Sequence, residues 1–374
     1  MGILFGTDGI RGVANTYPMT AEMALRVGRA LAVLFAPLDG APFVIGRDTR
    51  VSGDMLAHAL AAGICSMGGN VAMAGVLPTP GVAHLTRAVK GAAGIVISAS
   101  HNPFQDNGIK IFTGDGYKLS DVPEAEIEAL VLKADLAARA ESIQATGRVR
   151  AMPDAGQRYV NFLIATAPSG DFLSGRRIVL DCANGATSEV APRLFSALGA
   201  AVITLFNEPD GRNINAGCGS QHPGALARQV VAEAADIGLA FDGDGDRLIA
   251  VDEKGEPLTG DQVLAVCAKG LQAAGRLKGS AVVSTVMSNM GLEKALAEMG
   301  IAHHSAAVGD RQVLEKMRAC GAVVGGEDSG HMIFLEDHTT GDGLLAALKL
   351  LEVVQTEGKP LSHLHLSLIH ISEP

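Results

Sequence analysis

Three aspartates alternate with glycines in Asp242-Gly243-Asp244-Gly245-Asp246, and Arg247 follows at once. Carboxylate oxygens suit a hard divalent cation, and glycine lets a loop fold round one. Acids this close repel one another unless a cation sits among them. A calcium EF-hand is a competing pattern, and Glu253 even falls at its twelfth position. Arg247 stands where that loop needs glycine, however, and the flanks Ile237–Phe241 and Leu248–Val251 read as strands. The spacing points to Mg²⁺ held by Asp242, Asp244 and Asp246, with room for a phosphate oxygen or water. Arg247 adds a forked donor suited to phosphate. A solvated acidic turn is the bland alternative.

Ser100-His101-Asn102-Pro103 follows an apolar run. Ser100 suits a nucleophile or phosphate carrier, or is incidental to an Asn-Pro turn. The hydrolase elbow G-x-S-x-G is absent here. Neighbours in an extended segment point to opposite sides, so Ser100 and His101 are not an obvious triad pair. Lys110, in Asn107–Ile111, is either a surface charge or a proton donor and phosphate ligand. Phe5–Gly12, containing Thr7 and Arg11, and Gly46–Arg50 combine glycine with arginine, as anion sites and plain turns both do. Asp310 and Arg311 could hold a second anion. Glu327, Ser329 and His331 could bind sugar hydroxyls, although His331 is equally plausible as a structural histidine.

The elements that must position these residues recur. Strands at Phe43–Ile45, Arg177–Leu180 and Ala281–Ser284 each lead into a helix, near Asp54–Ser66, Glu189–Leu198 and Leu292–Met299. Second strands follow at Val71–Ala74, Ala201–Leu205 and Ala302–Ser305. Third strands, Ile95–Ser98, Ile237–Phe241 and Ala322–Val324, each end in one of the polar turns. Alternation of this kind is α/β, and ligand chemistry in open α/β sheets lies at strand carboxyl ends. Ala134–Ala155 reads as a linker or solvated helix, and Asp252–Gly260 as a turn between units.

The 374 residues carry 30 basic and 40 acidic side chains, a net charge of −10. That sign argues against non-specific binding to nucleic acid or an anionic membrane. Gly numbers 46, more than an average chain holds, which means many turns or close backbone–ligand approaches. Five cysteines with no C-x-x-C pair suit a reducing compartment and argue against zinc. With no signal peptide and no apolar run long enough to span a bilayer, the expected address is the cytoplasm.

Four motifs occur in order: FGTDGIRG at 5–12, SASHNP at 98–103, DGDGDR at 242–247 and GEDSGH at 326–331. NINAGCGS at 213–220, TVMSNMGLE at 285–293 and TTGDG at 339–343 support them. Together they resemble the α-D-phosphohexomutase superfamily over about residues 3–363. The resemblance implies three tandem similar α/β domains around a shared cleft, at 1–150, 151–253 and 254–365. It implies conversion of glucosamine 6-phosphate to glucosamine 1-phosphate through a bisphosphate. Ser100 matches the serine that must be phosphorylated for activity. Asp242, Asp244 and Asp246 match the Mg²⁺ ligands, with phospho-Ser100 supplying a further oxygen and Arg247 close to that phosphate. Lys110 and His101 match active-site residues, Lys110 being favoured as general acid or base. Glu327 and Ser329 match sugar recognition, His331 is a second proton-transfer candidate, and Thr7 and Arg11 lie in the matching N-terminal loop. A small-molecule hexosamine phosphate is the implied partner, and a homodimer is expected.

Two departures stand out. Asp328 follows Glu327 where the hexosamine branch more usually has Gln, which leaves a phosphomannomutase or phosphoglucomutase as rivals. The family's fourth domain, with its phosphate-binding loop, has no counterpart, and residues 366–374 read as a non-native tail. That makes a poorly active chain, or a non-catalytic binder of Mg²⁺ and sugar phosphate, a further alternative. A serine hydrolase is a weaker one, because nothing here builds its triad.

Overall fold

The computed structural model describes residues 3–6, 8–35 and 40–364. Thr7 and the tail 366–374 lie outside the described residues. The chain divides into two compact units. One holds the residues up to Tyr159 together with Asn184–Ala186 and Pro209–Ala216. The other holds Val160–Ala183, Thr187–Glu208 and the residues from Gly217 onward.

The first unit is built on a mixed sheet of β1 (Phe5–Gly6), β2 (Gly9–Val13), β3 (Phe43–Arg47), β4 (Val71–Val76), β5 (Ala93–Ile97), β6 (Asp106–Thr113) and β7 (Val149–Ala151). Their order across the sheet is β1-β2-β6-β5-β3-β4-β7. The second unit carries two sheets. One contains β8 (Arg177–Asp181), β9 (Ala201–Leu205), β10 (Ile237–Phe241), β11 (Leu248–Val251) and β12 (Pro257–Leu258), in the order β12-β11-β10-β8-β9. The other contains β13 (Ala281–Thr285), β14 (Ala302–Ala306), β15 (Val324–Gly326) and β16 (Met332–Phe334), in the order β14-β13-β15-β16.

One four-strand pattern lies inside all three sheets. The second strand of each repeat pairs parallel with the first, the first parallel with the third, and the third antiparallel with a fourth. The fold is therefore three α/β domains of one design. Each polar loop singled out in the sequence connects a third strand to its antiparallel fourth. The third strands β5 and β10 are buried along their whole length, as continuous apolar runs in a sheet covered on both faces should be.

The helices follow local rules. Helix Ala21–Leu34 starts where Thr20 accepts a hydrogen bond from Met23 N at 3.2 Å. It packs on helix Gly53–Ser66 at backbone contact distance. A Cβ at Gly28 would lie 2.2 Å from Leu60 O, and one at Gly63 2.1 Å from Leu25 O, so only glycine permits the crossing. Helix Gly260–Ala273 opens with a reciprocal cap between Thr259 and Gln262. The stretch 134–155, read as a linker or solvated helix, is partly helical, in line with the second alternative. It contains helix Leu136–Glu141 and β7, which adds to the sheet edge beside β4.

Candidate active site

The serine loop follows β5. Ser100 is buried and has φ +53°, in the left-handed region that side chains with a Cβ seldom occupy. Its neighbours over-determine that conformation. Ser100 N donates to Ser98 Oγ at 2.9 Å, and Ser98 Oγ donates to Asp48 Oδ2 at 2.5 Å. Ser100 O accepts from Arg50 Nη2 at 3.2 Å and from Asn215 Nδ2 at 2.9 Å. The sequence placed Ser100 and His101 on opposite sides of an extended segment. The left-handed turn removes that alternation, and Ser100 Oγ lies 3.4 Å from His101 Nδ1.

Gly46–Arg50 is not an anion site at its Arg50 end. Arg50 is fully buried, pairs with Asp48 at 3.1 Å and donates to the backbone carbonyls of Asp106, Ser100 and Asn102.

Lys110 sits on β6 opposite Val96 and is almost entirely buried. Its ammonium lies 3.3 Å from Asp8 Oδ2. The same carboxylate takes Lys118 at 2.7 Å and also binds Arg11. Burial pushes the Asp8 carboxyl up, but Lys110, Lys118 and Arg11 together hold it well below the usual carboxylate range. Three cations gathered on one acid leave net positive charge where β2, which carries Arg11, pairs with β6, a setting that suits a phosphate.

In the second unit the loop after β10 carries the three acids. Asp242, Asp244 and Asp246 are all buried, and one oxygen from each lies within 4.8 Å of the others. Arg247 N donates to Asp242 Oδ1 at 3.2 Å, and Gly245 N to Asp242 O at 3.1 Å, which curls the loop inward. Burial works to lower the Arg247 pKa, but Asp246, Asp242, Glu327 and Asp244 outweigh it and raise it. Arg247 is thus locked in the charged form and its side chain stays partly exposed.

The third loop is bound directly to the second. Arg247 and His331 form an antiparallel bridge, and Leu248 N donates to Gly330 O at 3.0 Å. His331 Nδ1 lies 3.6 Å from Asp246 Oδ2, and its Nε2 lies 3.9 Å from Asp310 Oδ2. Glu327 Oε1 accepts from Gly309 N at 3.0 Å, which ties the sugar-recognition turn to the Asp310–Arg311 segment. Ser329 is exposed in that turn, and Arg311 is half-buried at the start of helix Asp310–Cys320. Asp242, Asp244, Asp246, Arg247, Asp310, Glu327 and His331 therefore form one connected cluster.

Three segments match the three domains of one family: phosphoglucomutase/phosphomannomutase α/β/α domain I over residues 2–138, domain II over 157–255 and domain III over 259–370. A phosphoglucosamine mutase of Syntrophus aciditrophicus is 57% identical over 97% of this chain and 81% of its own length. One from Syntrophobacter fumaroxidans is 56% identical over the same shares. The chain belongs to the phosphoglucomutase/phosphomannomutase family. A crystal structure of a family protein from Burkholderia thailandensis superposes with a TM-score of 0.82 at 28% identity, over 96% of this chain and 78% of that one. As a member of the α-D-phosphohexomutase superfamily, the chain is an intramolecular phosphotransferase. Among the described residues, no helix is long and apolar enough to cross a membrane.

Sequence reasoning about this phosphohexomutase missed Asp8, Lys118, Asp48 and Asn215. Asp8 stood in plain view between Thr7 and Arg11, and its pairing with two lysines of a distant strand and hairpin was the hidden part. Asn215 lies in NINAGCGS, and its contacts with Ser100 and Asn102 span more than a hundred residues, which no local pattern signals.

Proposed function

We propose that the chain is a phosphoglucosamine mutase that interconverts glucosamine 6-phosphate and glucosamine 1-phosphate. The observation that carries this reading is the near-complete alignment with mutases of that name at 57% and 56% identity. In the proposal Ser100 carries the phosphoryl group. Its Oγ–P bond breaks as a P–O bond forms to the free sugar hydroxyl, whose proton passes to a base. The bisphosphate then turns, and its other phosphate returns to Ser100.

Such a transfer needs positioning and charge neutralisation more than covalent help. Asp242, Asp244 and Asp246 would hold Mg²⁺: three buried carboxylates give an all-oxygen donor set that suits a hard cation, and three mutually close acids call for one. When bound, that ion would neutralise charge on a phosphoryl group. Arg247 keeps its charge next to the same acids. Lys110 is the proposed general acid or base, with His101 and His331 as further proton-transfer candidates. Glu327 and Ser329 would hold sugar hydroxyls; Thr7, Arg11, Asp310 and Arg311 would serve the substrate's phosphate and ring. Domain limits of 1–150, 151–253 and 254–365, a cytoplasmic address and a homodimer belong to the same reading.

The test is a side-by-side assay of glucosamine, mannose and glucose 6-phosphates, with intact-mass measurement of the protein. A preference for glucosamine 6-phosphate, together with a phosphate that disappears in Ser100→Ala, supports the reading. Faster turnover of either neutral sugar would reassign the substrate, and a phosphate that persists in Ser100→Ala would remove the carrier.

A further inference from the structure

The segment Pro209–Ala216 lies in the sequence of the second repeat, yet it belongs to the first compact unit. It is fastened there beside the residues that support the serine loop. Val51 N donates to Gly211 O at 2.9 Å, and Thr49 Oγ1 donates at 2.6 Å to the carbonyl of Asn184, whose Nδ2 in turn donates to Asn213 O at 3.4 Å. From this segment Asn215 reaches the serine loop. Its Nδ2 donates to Ser100 O at 2.9 Å and to Asn102 O at 3.0 Å. Arg50 Nη2 donates to the same two carbonyls, at 3.2 and 2.5 Å. Two side chains from distant parts of the chain thus grip one pair of carbonyl oxygens.

We propose that Asn215 and Arg50 form a positioning clamp that holds Ser100 in its left-handed conformation for phosphoryl transfer. The inference rests on the reading that Ser100 carries phosphate. A left-handed serine is held against its own preference, and such a conformation persists only where the surroundings over-determine it. Here the amide side is held by Ser98 and the carbonyl side by the clamp. Asp48 links the two, because it accepts from Ser98 Oγ and pairs with Arg50. Arg50 makes no contact that requires substrate, so its role is to aim Ser100. Asn215 is the adjustable arm: it is only part-buried and itself sits at φ +58°, where Asn, Asp and Gly are tolerated.

The step to be measured is loading of the serine. A hexose 1,6-bisphosphate loses one phosphoryl group as its sugar O–P bond breaks. The Ser100 Oγ–P bond forms, and the serine proton ends on the sugar oxygen. Dephosphorylated protein is mixed with glucose 1,6-bisphosphate and Mg²⁺, and phosphate on Ser100 is followed by intact mass. Asn215→Gly keeps the backbone conformation and removes the donor, and Asn215→Asp replaces the donor with an acceptor. Both should load Ser100 on the order of ten- to a hundredfold more slowly at saturating bisphosphate. The bisphosphate concentration for half-maximal rate should move less than threefold, and the melting temperature should change little. Asn215→Asp should be at least as slow as Asn215→Gly, because a carboxylate faces two carbonyls. Loading within twofold of wild type in either variant would overturn the clamp. Slowing that tracks a matching loss of folded protein would overturn it too, by reducing the contact to a structural one. Wild-type protein that never gains phosphate on Ser100 would overturn the carrier reading instead, and the clamp with it.

Discussion

Lys110 and Asp8 form an ion pair at 3.3 Å in which the lysine is buried and the acid serves two further cations, Lys118 and Arg11. The pair joins the proposed proton-transfer residue to the N-terminal loop. Removing the acid takes away the counter-charge that these three cations share.

Asp8→Asn should therefore destabilise the chain by about 2 kcal/mol at pH 7, between the values typical of buried and surface pairs. The folded state holds the Asp8 carboxyl below its ordinary value. Its contribution is thus fully present above the unfolded carboxyl pKa, about 3.9, and is lost as pH falls below it. Urea denaturation of both proteins should show a constant gap from pH 5 to 8 that narrows below about pH 4. A gap that is unchanged at pH 3 would mean the charge of Asp8 is not what stabilises.

The acidic loop predicts opposite effects with and without metal. Asp244→Asn removes one of three mutually repelling charges, so the metal-free variant should be no less stable than wild type. Mg²⁺ should raise the wild-type melting temperature, since a ligand at a hundred times its Kd adds about 2.7 kcal/mol. The variant should lose most of that rise. Thermal melts with EDTA and with excess Mg²⁺ measure both quantities. Equal Mg²⁺ shifts in the two proteins would place the cation elsewhere.

Gly341 supports His331 by having no side chain. A Cβ there would lie 2.2 Å from Nε2 and 2.3 Å from Cε1 of the imidazole. Gly341→Ala must push the ring away from Asp246 and Asp310. A cost of about 1–3 kcal/mol is expected in denaturant. Mutase turnover should fall by on the order of tenfold or more, beyond what the stability loss explains. Full turnover with His331 displaced would remove that histidine from the proton-transfer candidates.

The repeat was legible because each domain spends its apolar residues in the same order. Runs such as Ile95–Ile97 and Ile237–Phe241 announce buried strands, and the polar turns mark where they stop. The three aspartates were legible because their spacing is local, and five consecutive residues carry the whole signal. The Arg50–Asp48–Ser98 network was not, since Ser98 lies fifty residues from Asp48 and an arginine in a glycine-containing turn looks like a ligand donor from sequence. His101 was misread for a related reason. Side-chain alternation presumes an extended backbone, and the turn at Ser100 takes a hydrogen bond from Asn215, more than a hundred residues away. Chemistry encoded in one short loop can be read from the chain; chemistry that depends on who supports the loop cannot.

Asp181 offers a pH test independent of the catalytic reading. It ends β8 fully buried, accepting from Ala183 N at 2.9 Å and Gly219 N at 2.8 Å. Burial raises its carboxyl to about 6, although the two amide bonds pull the other way. Between roughly pH 4 and 6 the folded chain holds a proton that the unfolded chain has already released. Stability from this group is therefore greatest below the unfolded pKa and declines as pH rises through 6, by at most about 3 kcal/mol in all. Asp181→Asn cannot ionise; it keeps one of the two accepting oxygens and turns an NH2 toward the other amide. In metal-free buffer the variant should lose that decline, so its stability deficit against wild type should shrink by up to about 3 kcal/mol between pH 4.5 and 8. Denaturant midpoints for both proteins at pH 4.5, 6 and 8 decide it. Parallel pH profiles would show that Asp181 stays charged throughout, with its two amide donors strong enough to hold a buried carboxylate.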